Sequence, residues 1–353
     1  MATLSAEERG RGVVCASAGN HAQGLAFACH AMRVRGTIYM PVVTPAQKVR
    51  KVRMFGGDFV EVVLTGDTYD DAYAASMRVA EERQLTYVHP FDDPATIAGQ
   101  GTVGLEILEA SDEPIDLLIL PIGGGGLSAG IGTVFRALSP QTQLIGVEPS
   151  GAPAMSESLR QGRCVTLDKI NSFVDGAAVR RVGTHNFPIV RQSLSRVELV
   201  DEGKVCGVML ELYNEDGLVV EPAGALSIAA LSQLGDIRGK RTVCVVSGGN
   251  NDITRTPEIQ ERALLYAGLK HYFIIKFPQR AGALRDFLEV LGDRDDITHF
   301  EYTKKHNRAM GPAIVGIQLG ERSGYDQLIA GMEARGIRYE HLNDQPILFE
   351  TLI

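Results

Sequence analysis

Through about residue 250 the chain alternates short β-rich runs with helical patterns, and that alternation admits few folds. Gly12 to Cys15 precedes a helical pattern from Asn20, Thr37 to Met40 one from about Pro45, and Phe59 to Val63 one from about Thr68. Leu117 to Leu120 runs through four glycines into another helical pattern, and Leu144 to Val147 continues the order. Strands joined by helical crossovers lie parallel, with helices packed on both faces. The run Leu117-Leu118-Ile119-Leu120 is apolar throughout, as a strand buried on both sides requires. The expectation is an α/β unit over residues 1–256, built on a mainly parallel sheet.

Beyond Pro257 the pattern changes. A helical stretch from Glu258 to Tyr266 reads as a connector over 257–269, and a second module is expected over 270–353. Its order is strand (Tyr272 to Phe277), helix (Gly282 to Leu291), strand (Ile297 to Thr303), strand (Ala313 to Gln318), helix (Asp326 to Arg335) and strand (Ile337 to His341). This βαββαβ series is the ferredoxin-like, split-βαβ arrangement, and about 80 residues suffice for an independent module. No internal repeat or low-complexity segment stands out.

A formal net charge of -8 without any basic stretch argues against nucleic acid or an anionic membrane as partner. The five cysteines, Cys15, Cys29, Cys164, Cys206 and Cys244, form an odd set without a CxxC pair and read as reduced thiols of a cytoplasmic protein. Met1 to Arg9 has no apolar signal core, and no uncharged apolar run reaches the ~18 residues of a spanning helix, so a soluble protein is expected.

Three turns gather polar or glycine residues at strand ends, where open α/β sheets bind ligands. Gly123-Gly124-Gly125-Gly126-Leu127 lies between a buried strand and a helix, so its N–H groups can close on an anion at a helix N-terminus. A tight turn would need only one or two of those glycines. The run lacks the Lys-Ser/Thr ending of a P-loop and the acidic residue of a dinucleotide fingerprint. Ser17-Ala18-Gly19-Asn20-His21 offers a hydroxyl, an amide and N–H donors to a smaller anion; the alternative is a helix cap by Ser17 or Asn20, with His21 packed or solvated. Ser247, in Ser247-Gly248-Gly249-Asn250, is either a ligand contact or a turn serine.

Together these motifs resemble the fold-type II, tryptophan synthase β-like pyridoxal-phosphate (PLP) enzymes, and most closely the shorter biosynthetic threonine dehydratases. Further matching stretches are Phe91-Asp92-Asp93-Pro94, Ile97 to Thr102, Gly146-Val147-Glu148-Pro149, Asp175 to Val179 and Glu221 to Ala225. The resemblance implies that Gly123, Gly124, Gly125, Gly126 and Leu127 hold the PLP phosphate, that Asn20 bonds the ring 3'-oxygen, and that Ser247 faces the pyridine nitrogen. It implies that Ser17, Ala18, Gly19, Asn20 and His21 surround the carboxylate of L-threonine, which would be deaminated to 2-oxobutanoate at the first step of isoleucine biosynthesis. Gly268 to Phe273, Phe277 to Leu284 and Asp296 to Tyr302 resemble the family's ACT-like regulatory module, which implies isoleucine as inhibitor, valine as opposing effector, and a homotetramer. A plain dimerisation unit is the other reading of that module.

Two departures accompany the resemblance. All nine lysines, Lys48, Lys51, Lys169, Lys204, Lys240, Lys270, Lys276, Lys304 and Lys305, follow the Ser17 turn, whereas the family carries its Schiff-base lysine ahead of it in Ser-Phe-Lys. No catalytic lysine is therefore assigned. The chain is expected to be N-terminally incomplete and inactive as written, with a non-catalytic amino-acid-binding relative or a degradative serine/threonine dehydratase as alternatives. Racemase and serine dehydratase relatives hold a divalent cation past Gly-Val-Glu-Pro with an acid where Ala154 stands, so no metal site is expected here.

Overall fold

The computed structural model describes residues 1–302 and 309–352, in two compact units, Met1–Ile253 and Thr254–Ile353. Thr303, placed at a strand end above, lies outside the described residues.

The first unit holds eight strands: β1 (Val13–Ala16), β2 (Gly36–Met40), β3 (Val60–Leu64), β4 (Thr86–Tyr87), β5 (Leu117–Pro121), β6 (Gln143–Pro149), β7 (Arg196–Val200) and β8 (Thr242–Cys244). They form two parallel sheets rather than one, ordered β3-β2-β1-β4 and β7-β6-β5-β8. The division falls after β4, a two-residue strand bordering β1. From there Asp93 caps a 16-residue helix, accepting from the N–H groups of Ala95 and Thr96, with Pro94 preset for the first turn.

The helices of this unit are α1 (Ala6–Arg11), α2 (Asn20–Met32), α3 (Ala46–Gly56), α4 (Tyr69–Glu82), α5 (Pro94–Glu109), α6 (Gly126–Leu138), α7 (Ala154–Gln161), α8 (Asn186–Ser193), α9 (Glu202–Asp216) and α10 (Pro222–Ala229). Helix α5 lies against α6 backbone to backbone. A Cβ at Gly130 would stand 2.4 Å from the Ile97 carbonyl oxygen and 2.5 Å from the Gly101 nitrogen. One core joins Val13, Ile38, Met40, Val49 and Val52 beneath the first sheet, and another joins Leu118, Leu120, Ile131 and Phe135 beneath the second.

The two sheets share one topological feature. β1 lies between β2 and β4, and β5 lies between β6 and β8, so each is flanked by strands on opposite sides. Crossovers diverge at such a strand and leave a crevice at its carboxyl end. The Ser17 turn follows β1, and the four glycines follow β5.

The second unit contains α11 (Thr256–Ala267), β9 (Lys270–Pro278), α12 (Ala283–Leu288), β10 (Asp296–Tyr302), β11 (Met310–Gln318), α13 (Gly324–Ala334), β12 (Arg338–His341) and α14 (Pro346–Leu352). Its antiparallel sheet is ordered β10-β11-β9-β12, the ferredoxin-like order, over a core of Phe273, Ile275, Phe287, Val315, Ile317 and Met332. Glu261 ties α11 to β9: it accepts from the Tyr272 hydroxyl at 2.6 Å and pairs with buried Lys270 at 2.9 Å. All five cysteines are free thiols, three of them buried, and no described helix is long and apolar enough to cross a membrane.

Candidate active site

The Ser17 turn is not a side-chain cap. Gly19 occupies the N-cap position of α2 without a side-chain bond, while the Ser17 hydroxyl accepts only the Gly19 N–H, at 3.2 Å. Among the described residues the N–H groups of Ala18, Asn20, His21 and Ala22 find no acceptor, so the turn presents several donors beside the positive end of a 13-residue helix. His21 joins through its backbone alone. Its ring Nε2 donates to the Val88 carbonyl at 2.9 Å, and burial holds the imidazole below its ordinary pKa despite that bond.

The glycine loop has the same character. No acceptor among the described residues meets the N–H groups of Gly123, Gly124, Gly125, Gly126 or Leu127, although Gly124 to Gly126 are buried. Buried donors left unpaired are destabilising, so a ring of them at a helix N-terminus suits an anion. The loop's shape is enforced by protein. A Cβ at Gly124 would overlap the Phe91 ring at 2.3 Å, and Gly125 has φ +93°. Asn186 Nδ2 fastens the Gly124 and Phe91 carbonyls at 2.8 and 3.0 Å. Asp92 accepts from the N–H groups of Thr184 and His185; burial raises its pKa, but these bonds outweigh it and leave the carboxyl below its usual value.

Glu221 joins the pieces. Its Oε1 accepts Asn20 Nδ2 at 2.8 Å, its Oε2 accepts the Asn250 N–H at 3.2 Å, and its own N–H donates to the Gly248 carbonyl. Burial raises its pKa, a nearby Asp175 adds to that, and the two hydrogen bonds and Lys48 oppose it. Glycines make the approach possible. A Cβ at Gly248 would lie 2.4 Å from Glu221 Oε1 and 3.0 Å from Asn20 Nδ2, and one at Gly123 would lie 3.0 Å from Ala177 Cα. The structure thus brings Asn20, Glu221 and the Gly248–Asn250 turn together, and Gly123 reaches the same neighbourhood through Gly176 and Ala177. Ser247 is exposed on that turn. From α3, Lys48 pairs with Asp175 at 2.8 Å and Lys51 reaches Asn250 Oδ1 at 3.4 Å.

Residues 1–248 match the family described as pyridoxal-phosphate dependent enzyme, and residues 261–352 match the C-terminal regulatory domain of threonine dehydratase. The biosynthetic L-threonine dehydratase IlvA of Halalkalibacterium halodurans is 52% identical across 100% of this chain and 86% of its own length. The chain belongs to the biosynthetic threonine dehydratase family. The Bacillus subtilis IlvA is 53% identical over 100% of this chain and 84% of its own length. Among solved structures, the processed threonine deaminase isoform 2 of Solanum lycopersicum superimposes with a TM-score of 0.71 at 39% identity, covering 74% of this chain and 76% of that one.

Members of the threonine dehydratase family use PLP, and the donors here fit it: unpaired N–H groups suited to a phosphate, a second set suited to a carboxylate, and the Asn20 amide on that second turn. Glu148, the acid of the Gly-Val-Glu-Pro turn, is spent within the protein. Its oxygens accept the N–H groups of Met155 and Ser156 at 2.6 and 2.8 Å, and burial pushes its pKa up to about 7 against those bonds. Ala154 beside it is fully buried, and no group of three potential metal ligands occurs among the described residues. The sequence motifs assigned no role to Glu221; its signal was an acid set between Val220 and Pro222-Ala223, which are buried, whereas Leu218 and Val219 are exposed.

Proposed function

We propose that this chain supplies the PLP- and L-threonine-binding site of an enzyme that forms 2-oxobutanoate and ammonia, under control of an amino-acid effector at its C-terminal unit. The convergence of Asn20, Glu221 and the Gly248–Asn250 turn on a region with two sets of unpaired N–H donors carries this reading. Gly123 to Leu127 hold the phosphate with backbone N–H groups. Asn20 bonds the ring 3'-oxygen, and Ser247 stands at the pyridine nitrogen, where a hydroxyl does not force ring protonation. Ser17, Ala18, Gly19, Asn20 and His21 bind the substrate carboxylate, His21 by its N–H alone. PLP, when bound, supplies the electron sink that acidifies the threonine Cα proton before the hydroxyl leaves.

Lys48 and Lys51 are engaged by Asp175 and Asn250, so the polypeptide of these 353 residues is expected to bind PLP without covalent attachment. Borohydride reduction followed by mass spectrometry tests this; a pyridoxyl group on any lysine refutes it. A chimera placing the family's Ser-Phe-Lys segment ahead of residue 1 should convert threonine to 2-oxobutanoate, and failure of a folded, PLP-loaded chimera to do so would sink the assignment. We further propose a cytoplasmic homotetramer with isoleucine as inhibitor and valine as its opponent. Isoleucine at millimolar concentration should raise the melting temperature of the full chain by mass action. Absence of any shift leaves the C-terminal unit as an oligomerisation module.

A further inference from the structure

We propose that Glu221 is a positioning residue: it sets which way the Asn20 amide faces, and through it the preference of this site for the 3'-oxygen of PLP. The inference rests on the cofactor reading above.

Glu221 is 6% exposed and its two carboxylate oxygens have different kinds of partner. Oε2 meets the Asn250 N–H, a backbone donor that cannot be exchanged, whereas Oε1 meets Asn20 Nδ2, half of an amide that can turn over. An ionised carboxylate only accepts, so it demands a hydrogen from each. The carboxylate is closely packed: a Cβ would fall 2.4 Å from Oε1 at Gly248 and 3.5 Å from the same oxygen at Gly176. Lys48 and Asp175 supply the charged surroundings, as a pair 2.8 Å apart. Asn20 therefore keeps Nδ2 on the Glu221 side, and its second hydrogen remains for a ligand oxygen that accepts.

Glutamine at 221 breaks this arrangement in one direction. Its single oxygen must serve the fixed Asn250 N–H, which leaves its NH2 facing Asn20. The Asn20 amide then inverts to offer Oδ1, and an anionic ring oxygen arriving there meets an acceptor instead of a donor. Ordinary loss of stability would weaken all ligands alike; inversion weakens only those carrying the 3'-oxygen.

The experiment is equilibrium dialysis of the polypeptide with PLP and with 3-deoxypyridoxal 5'-phosphate, which lacks that oxygen. Wild type should favour PLP by roughly tenfold or more, the size of a hydrogen bond to a charged group. Glu221→Gln should bring the ratio to within about twofold of unity while the deoxy compound binds nearly as before. Glu221→Ala, which leaves the amide free to turn, should lower the ratio as well and serves if the glutamine variant does not fold. Variants that keep the wild-type ratio overturn the positioning role. A wild type that binds neither compound overturns the cofactor reading instead, and one that binds both equally removes the Asn20 contact on which the inference depends.

Discussion

Gly130→Ala is expected to destabilise the first unit, against the rule that alanine favours a helix over glycine. Helix propensity alone would add about 1 kcal/mol of stability. The new methyl, however, would lie 2.4 Å from the Ile97 carbonyl oxygen, 2.5 Å from the Gly101 nitrogen and 2.8 Å from the Gln100 carbonyl carbon, all backbone atoms. Restoring ordinary contact requires α5 and α6 to part by about 1 Å along this seam. Overpacking typically costs ~1–3 kcal/mol, and neighbours that cannot rotate away place this case at the upper end. The net loss is then about 2 kcal/mol, or roughly 4–8 °C for a unit of this size. Gly99→Ala is the internal control: it lies in α5, exposed, with nothing within 4 Å of the added Cβ, and should raise the melting temperature slightly. Calorimetry of the full chain would read both. The α6 shift should also weaken PLP binding, since α6 begins at the glycine loop. If Gly130→Ala melts at or above Gly99→Ala, the backbone approach of the two helices is not as described.

Other expectations follow from the same contacts. Asp92→Asn replaces one of two acceptors by a donor facing backbone N–H groups and should cost ~1–3 kcal/mol at pH 7. Because the folded carboxyl lies below its usual pKa, its stabilisation is present above the unfolded value and fades as pH falls through the folded one, so the two melting curves should converge below about pH 4. His21, held below its ordinary value by burial, contributes stability that is present above pH ~6.5 and lost on acidification. His21→Gln, whose amide can reach the Val88 carbonyl, should flatten that loss in a melting series from pH 5 to 8; an unchanged slope would remove the histidine as its source. Glu261→Ala leaves buried Lys270 and the Tyr272 hydroxyl without their carboxylate and should cost about 2 kcal/mol in the second unit's transition, less than a fully buried pair because Glu261 is 30% exposed.

The order of elements was legible because burial writes itself into strands such as Leu117–Leu120, and strands β1, β2, β3, β5 and β6 fall within a few residues of their apolar runs. The division into two parallel sheets was not. Each strand looks equally buried whichever sheet it joins, and β4, only two residues long, carries no pattern that would mark the break. Helix α12 stops at Leu288 rather than Leu291, since Val290 and Leu291 turn back on the Phe287 and Leu288 carbonyls. At the site, glycines and polar turns announced themselves locally. Glu221 did not, because an acid beside apolar residues declares that partners exist without saying that they are Asn250, 29 residues on, and Asn20, 201 residues back.

That wide spacing has a consequence for synthesis. Asn20 leaves the ribosome 201 residues ahead of its carboxylate partner, and the Asn250 turn follows later still. At ~5–20 residues per second, Asn20 waits on the order of tens of seconds before Glu221 and Asn250 emerge. Once Tyr87 has emerged β1 can have its neighbours β2 and β4, yet the donor-lined crevice at its end still has no second wall. A nascent chain can thus complete its first sheet early and still be unable to hold a ligand, so binding reports that the unit has closed from both ends.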